Sequence, residues 1–283
     1  MRAKAVTAPA RGPAMVADIG RFAAMVMITV LVLSPILWLL LTAFKPDNEL
    51  FVSPPVFFTQ SPTLHNFSAG WNVGGGKGIT DSLIVTAFST LLCMLLGIPA
   101  AYGLARRFPA DSQMGFTILS LRMLPPIVPG IGYYLIFTRI GLFDTYLGLV
   151  LLYAFMNLPL VIWLLAEFIR QIPTSYEEAA FVDGAPLWRA GYDVVLPLAG
   201  PGIVASGILA AIFSWNEFFF SLVLTGEGVI TFPKALANFF LFQEPNWGQL
   251  GAMGVIALLP LMVCAFYMQR YLIRSFSFEA GGR

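Results

Sequence analysis

The sequence predicts an all-α, polytopic membrane protein with six transmembrane helices. Three observations lead there. The 283 residues are 58% hydrophobic and 11% charged, whereas soluble domains carry about 25% charged residues. Mean hydropathy is +0.80. The few charges cluster between long uncharged stretches. Such a chain has the bilayer as its main solvent, which excludes disorder, a nucleic-acid binder and most cytosolic enzymes. The net charge of +1 points to no acidic partner.

A helix needs about 20 mainly apolar residues to cross a hydrocarbon core about 30 Å thick. Stretches free of Asp, Glu, Lys and Arg cover 22–44, 82–105, 123–138, 145–166, 194–216 and 245–269. The third is long enough when started near 113, with Arg122 inside it. The first is too long for a signal-peptide core and no small-residue cleavage site follows, so it is expected to be retained. Arg2, Lys4, Arg11 and Arg21 precede the first span, and Arg106 and Arg107 follow the second. Arg170 and Arg189 follow the fourth, and Arg270, Arg274 and Arg283 follow the sixth. The alternate loops hold only Lys45, Lys77, Arg139 and Lys234. This asymmetry predicts cytoplasmic termini and a cytoplasmic fourth-to-fifth loop. The expected organisation is an N-terminal tail over 1–20, a transmembrane domain over 21–273 and a C-terminal tail over 274–283. The stretch from 45 to about 80, rich in Pro, Gly, Ser and Asn, is expected to be an external loop.

Composition removes much catalytic chemistry. The sole histidine, His65, lies in that outer stretch, which excludes a His/Cys metal cluster, an HExxH site and a Ser-His-Asp triad. Cys93 and Cys264 fall inside spans and are expected to be apolar fillers. Gly74-Gly75-Gly76-Lys77-Gly78 is not a phosphate loop: Trp71 stands where the first glycine belongs, and Gly78 replaces the Ser or Thr. A flexible loop is expected there. The chain is not expected to hydrolyse a nucleotide.

The cytoplasmic loop over 172–197 holds the strongest local signal. Ser175 can cap a helix, with Glu178 completing a capping box. Glu177 and Glu178 suit the positive end of the helix dipole. Gly184 can end the helix in a left-handed conformation, and Pro186 can start the next segment. Ala179 and Ala180 leave a nearly featureless surface for a partner's groove, and Leu196-Pro197 turns the chain into the fifth span. Two readings stand, a protein-docking helix and a connector lying on the headgroups. Two acids and two alanines suit the second poorly, since interfacial helices are usually basic with large apolar faces.

Glu178-Ala179-Ala180, then Asp183-Gly184-Ala185, then Val194, Leu196 and Pro197 resemble the EAA loop of ABC importer permeases, with Val for the usual Ile at 194. Six spans, Trp215-Asn216-Glu217 in the fifth, and the tail Ala280-Gly281-Gly282-Arg283 resemble the carbohydrate-uptake branch, particularly its maltose-type smaller subunit. The resemblance runs from about 22 to the C-terminus. It implies a type I ABC importer transmembrane domain whose coupling helix (Glu178, Ala179, Ala180, Asp183 and Gly184) docks in an ATPase cleft. It also implies a second homologous permease, two ABC ATPase subunits that bind ATP and Mg, and an extracytoplasmic solute-binding protein delivering a sugar, polyol or sugar derivative. No cofactor is implied in this chain. The family engages its binding protein through the loop before the last span, here about 225–248 with Phe232, Asn238 and Trp247. Segment 275–283 is a looser match to tails that reach the ATPase.

Polar groups at membrane depth are costly and mark cavities or partners. For Arg122, snorkelling to the inner headgroups competes with gating or pairing to a carboxylate. Pro125, Pro126 and Pro129 would break helix hydrogen bonds beside it. Asn157, Trp215 and Asn216 have the chemistry of a sugar site, with helix–helix hydrogen bonding as the rival reading. Glu217 fits bracing a permease pair as well as touching solute. Phe218, Phe219 and Phe220 suit lipid or interface packing. An ion-gradient-driven secondary transporter or channel is the alternative function, though it favours repeats and paired midplane acids. An intramembrane enzyme has little support without a nucleophile or metal constellation.

Overall fold

Two kinds of membrane crossing build the computed structural model, which describes residues 12–107, 112–241 and 246–280, with side-chain surroundings for 18–106, 113–239 and 246–269. Four long apolar helices can each cross a bilayer alone, and two bent helix pairs raise the number of spans to six. All the regular elements among the described residues are helical.

Helix α1 (Gly12–Ala43) packs on α13 (Trp247–Ala280) and leaves most of its apolar surface outward, as Phe22 and Leu31 illustrate. It begins inside the expected N-terminal tail. Residues 1–11 and 281–283, with Arg2, Lys4, Arg11, Gly281, Gly282 and Arg283, lie outside the described residues. The sixth helix continues to Ala280, through most of the expected C-terminal tail.

The outer stretch departs from expectation. Chain expected as loop up to about 80 is helical from α2 (His65–Gly70), through a wide turn at Trp71–Gly75, into α3 (Gly76–Arg107). The glycine run is therefore not a flexible loop. Gly74 adopts φ +118°, which L side chains rarely adopt, and so kinks α2 into α3. Gly78 lets another helix approach: a Cβ there would lie 2.6 Å from the Cβ of Ala235. Glycine here serves a bend and a close contact.

The third span comprises α4 (Ser112–Ser120), a tight turn at Leu121–Met123 and α5 (Ile127–Arg139), with its two halves bent by 78°. Pro125 and Pro126 fall at the break, as their missing N–H groups require. Helix α6 (Tyr146–Arg170) continues past Pro159 and is capped by Thr145, whose hydroxyl accepts the Gly148 N–H at 3.0 Å. After α7 (Ser175–Val182) come α8 (Leu187–Arg189), a wide turn at Ala190–Val195 and α9 (Leu196–Leu198). That run makes an angle of 77° with α10 (Gly200–Trp215). The sharp bend within the fifth span thus falls at Ala199, where ψ is 0°, and not at Leu196-Pro197, which lie in the helical run before it. Helices α11 (Phe219–Leu224) and α12 (Phe232–Leu241) lead to α13.

Helix α3 packs along α6, and α10 lies against both. Cys93, Ala154, Val161 and Ala210 fill their middle. Both cysteines are free. Towards one end the core holds Leu104, Leu165, Ile169 and Val195 beside α7, and towards the other Leu149, Tyr153, Phe220 and Leu224. Apolar packing thus runs along the bundle in three successive stretches.

Candidate functional site

At one end of the bundle, α7 stands exposed. Its first turn is not built by the expected capping box. Thr174, with φ −64°, occupies the cap position and makes no side-chain cap bond. The Thr174 carbonyl accepts from the N–H groups of Glu177 at 2.9 Å and Glu178 at 3.0 Å. Ser175 is already helical, so its hydroxyl cannot cap.

The far end follows expectation. Gly184 has φ +81°, its N–H donates to the Phe181 carbonyl at 3.0 Å, and the Ala185 N–H donates to Ala180 at 2.9 Å. Those two bonds form a Schellman ending. A Cβ on Gly184 would meet nothing within 4 Å, so backbone conformation alone favours glycine. Glu178, Ala179 and Asp183 are exposed and Ala180 is half-buried. A cavity of about 280 Å³ beside them is bordered by Ala180, Asp183, Gly184 and Arg189.

Glu177 behaves oppositely to its neighbour and is 4% exposed. Its Oε1 accepts the Tyr102 hydroxyl at 2.7 Å. Its Oε2 lies 2.6 Å from Nε of Arg106, an ion pair whose angle falls short of a hydrogen bond. Arg106 Nη2 also donates to the Ile172 carbonyl at 3.0 Å. From sequence, Glu177 reads only as a dipole partner and Arg106 only as a topology charge. The available signal is the spacing of Tyr102 and Arg106, which places them on one face at the end of α3.

A second polar site lies between the bent spans. Arg122 Nη1 donates to Asn157 Oδ1 at 2.9 Å and to the Met156 carbonyl at 3.3 Å. Its guanidinium carbon lies 4.1 Å from the Phe213 ring centroid. Beside the break at Pro125 and Pro126, α6 thus supplies Arg122 with two acceptors. Asn157 Nδ2 donates to the Ser214 hydroxyl at 3.0 Å, and Ser89 donates to the same oxygen at 3.1 Å. Three helices and a bend thus share one polar ladder.

Arg122, Asn157, Ser214 and Glu217 line a cavity of about 130 Å³. Glu217 Oε1 accepts the Phe220 N–H at 3.0 Å, and its carbonyl accepts the Tyr153 hydroxyl at 3.3 Å. Two expected path residues lie elsewhere. Trp215 is 4% exposed and stacks on Phe232, with centroids 6.4 Å apart. Asn216 is exposed and turns its amide back to the Ile212 carbonyl at 2.8 Å. Phe220 is buried in the core, while Phe218 is exposed.

At the opposite end from α7, loop 225–231 is fastened by residues to which the sequence assigns no such role: Asp81 and Asp144 are not singled out, and Lys77 and Lys234 read only as loop charges. Asp144 accepts from Gly228 at 2.9 Å and Val229 at 3.0 Å. Asp81 accepts from Ile230 at 2.8 Å, Tyr146 at 2.8 Å and Lys77 at 2.6 Å. Lys234 donates to the Thr225 and Gly226 carbonyls at 2.6 and 2.9 Å. Burial pushes the Lys234 ammonium below its ordinary range, partly opposed by Asp144. Of the residues expected to meet a binding protein, Phe232 is buried, Asn238 half-buried and Trp247 exposed.

This geometry coincides with a sequence match. A family described as "Binding-protein-dependent transport system inner membrane component" matches residues 93–278. The chain belongs to that family. It is a multi-pass inner-membrane transport component, so the secondary-transporter reading gives way. Among similar proteins, the probable ABC transporter permease protein y4oR of Sinorhizobium fredii is 34% identical over 243 residues, 86% of this chain and 87% of that protein. The trehalose transport system permease protein SugB of Mycobacterium tuberculosis is 34% identical over 247 residues, 85% of this chain and 89% of that one. This permease also shares its fold with a chain of a bacterial ABC transporter involved in importing the acidic polysaccharide alginate, with a TM-score of 0.76. That match is 20% identical and covers 94% of this permease and 99% of the other chain.

Proposed function

We propose that this permease forms half of the translocation path of an ATP-driven importer for a sugar, polyol or sugar derivative. The observation that carries the reading is the exposed α7, closed by Gly184 and presenting Glu178 and Ala179 outward beside a half-buried Ala180. A short helix with a small-residue surface and a sharply fixed end suits insertion into a cleft of a partner. That partner is proposed to be a cytoplasmic ABC ATPase, present in two copies, which binds the ATP and Mg. Both chain termini would then be cytoplasmic. The fastened loop 225–231, at the opposite end, would meet the extracytoplasmic binding protein together with α12 and Trp247.

The Arg122–Asn157–Ser214–Glu217 cavity is proposed as this chain's side of the path. At about 130 Å³ it is smaller than the roughly 300 Å³ at which ligand pockets begin. A second homologous permease would supply the other wall. Guanidinium, amide, hydroxyl and carboxylate groups match a polyhydroxyl solute, and the trehalose assignment in SugB's name supports the carbohydrate class. Binding of ATP would bias a two-state movement of the paired permeases.

The test is co-purification followed by reconstitution. The tagged permease should bring an ATPase and a second permease with it. In proteoliposomes containing that assembly, ATP and the binding protein should drive sugar uptake. Retention of ATPase and uptake in both Gly184→Asp and Glu178→Lys would refute the docking assignment.

A further inference from the structure

Among the eight residues of α7, Glu177 alone is buried. The helix could therefore swing on its flanking segments, with Pro173 on one side and Gly184 on the other, unless something ties it to the bundle. The contacts around Glu177 supply that tie. Both carboxylate oxygens are engaged, one by Tyr102 and the other by Arg106, and the side chains of Glu177 and Arg106 are 5% and 15% exposed. Tyr102 and Arg106 sit one turn apart on the same face of α3. A carboxylate held at both oxygens from two such points resists rotation as well as withdrawal. Arg106 extends the hold to the Ile172 carbonyl, just beyond the end of α6. Since α3 packs along α6, the tie joins α7 to the two helices that form the core of the bundle.

We propose that Glu177 is a positioning residue that rivets α7 to α3. Displacement of α7 then moves the α3–α6 pair and is not absorbed by its flanking segments. The proposal rests on the reading of α7 as the ATPase-docking element. It assigns separate roles to adjacent acids: Glu178 faces outward to the partner, while Glu177 faces inward and passes on the movement. Low exposure matters, because water competes poorly for a buried, charge-paired carboxylate.

The experiment measures solute imported per ATP hydrolysed by the full reconstituted transporter with its binding protein. Glu177→Gln keeps shape and an acceptor for Tyr102 but removes the charge facing Arg106, and Arg106→Met removes the partner. Both should co-purify the ATPase at wild-type stoichiometry and retain hydrolysis, while import per ATP falls at least 10-fold. Arg106→Lys, which keeps the charge, should recover to within 3-fold of wild type. Tyr102→Phe removes one hydroxyl and serves if the charged-site variants do not fold; its import per ATP should fall at least 3-fold. An unchanged ratio in the variants that assemble overturns the rivet, as does a parallel loss of import and hydrolysis. Loss of the ATPase from the Glu177 or Arg106 variants overturns it too, by making Glu177 part of the docking surface. Failure of the docking reading is recognised separately, by ATPase retention in Gly184→Asp and Glu178→Lys.

Discussion

The carboxylate of Asp144 reaches across 85 positions of sequence to accept the N–H of Val229 at 3.0 Å. Its other oxygen accepts from Gly228. The contact holds the loop between the fifth and sixth spans against the start of α6. Asp144 itself has φ +56°, a left-handed conformation that Asp and Asn tolerate better than most residues.

This latch should depend on pH. Burial raises the Asp144 pKa, but the N–H groups of Val229, Gly228 and Gly226 outweigh that effect and hold the carboxyl below its usual range. A depressed folded-state value means that its stabilisation is complete above the unfolded value, about 3.9. It is lost as pH falls through the folded value. Hydrogen-exchange protection of Gly228 and Val229 should persist from neutral pH to about 4 and decline below it. Asp144→Asn tolerates the same φ but cannot accept at both positions, so it should lower protection at neutral pH by about 10- to 100-fold.

The polar ladder predicts different outcomes for its two middle members, Asn157 and Ser214. Asn157→Ala leaves Arg122 without its side-chain amide acceptor and Ser214 with only the Ser89 donor, and should reduce uptake at least 10-fold. Ser214→Ala leaves the Arg122–Asn157 contact in place and should preserve uptake within about 3-fold. Each should cost about 1–3 kcal/mol of stability. Thermal unfolding of the purified assembly and ATP-dependent uptake separate the two effects.

Gly184 offers a test confined to the backbone. A Cβ added there has nothing within 4 Å, so Gly184→Ala should cost about 1–2 kcal/mol through φ alone. ATPase affinity, measured by titration of the purified subunits, should fall about 5- to 30-fold. Gly184→Asn should lose less, because Asn accepts the left-handed region more readily.

Gly78 predicts a packing defect with a matching rescue. Gly78→Ala places a Cβ 2.6 Å from that of Ala235 and should force α12 away from α3, costing about 1–3 kcal/mol. The midpoint of thermal unfolding should fall. Adding Ala235→Gly removes the facing Cβ and should restore most of the difference.

Spans and the α7 segment are readable in the sequence because their signals are local. Charge-free length identifies a crossing, and Gly184 followed by Pro186 marks a helix stop and restart. The capping box misleads because Thr174 already takes a helical φ, which places Ser175 one step inside the helix. The glycine run looks like a loop because part of its reason lies in Ala235, far along the chain. Arg122 is equally opaque: its acceptors belong to α6, and only the bend in the third span brings them together. The Glu177 and Asp144 contacts share that origin, since sequence shows each residue's chemistry but not the distant group facing it.

The breaks of 78° and 77° in the third and fifth spans also bear on how the protein fits a bilayer. Helix α5 has 13 residues and α10 has 16, giving lengths of about 20 and 24 Å against a hydrocarbon core of about 30 Å. Neither straight piece matches the membrane by itself, and the crosswise pieces, α4 and the run from α8 to α9, must make up the remaining depth. The straight apolar lengths are therefore unequal among the spans. Bilayer thickness thus bears on both bends, and the one in the third span, from Arg122 to Pro126, also lines the cavity.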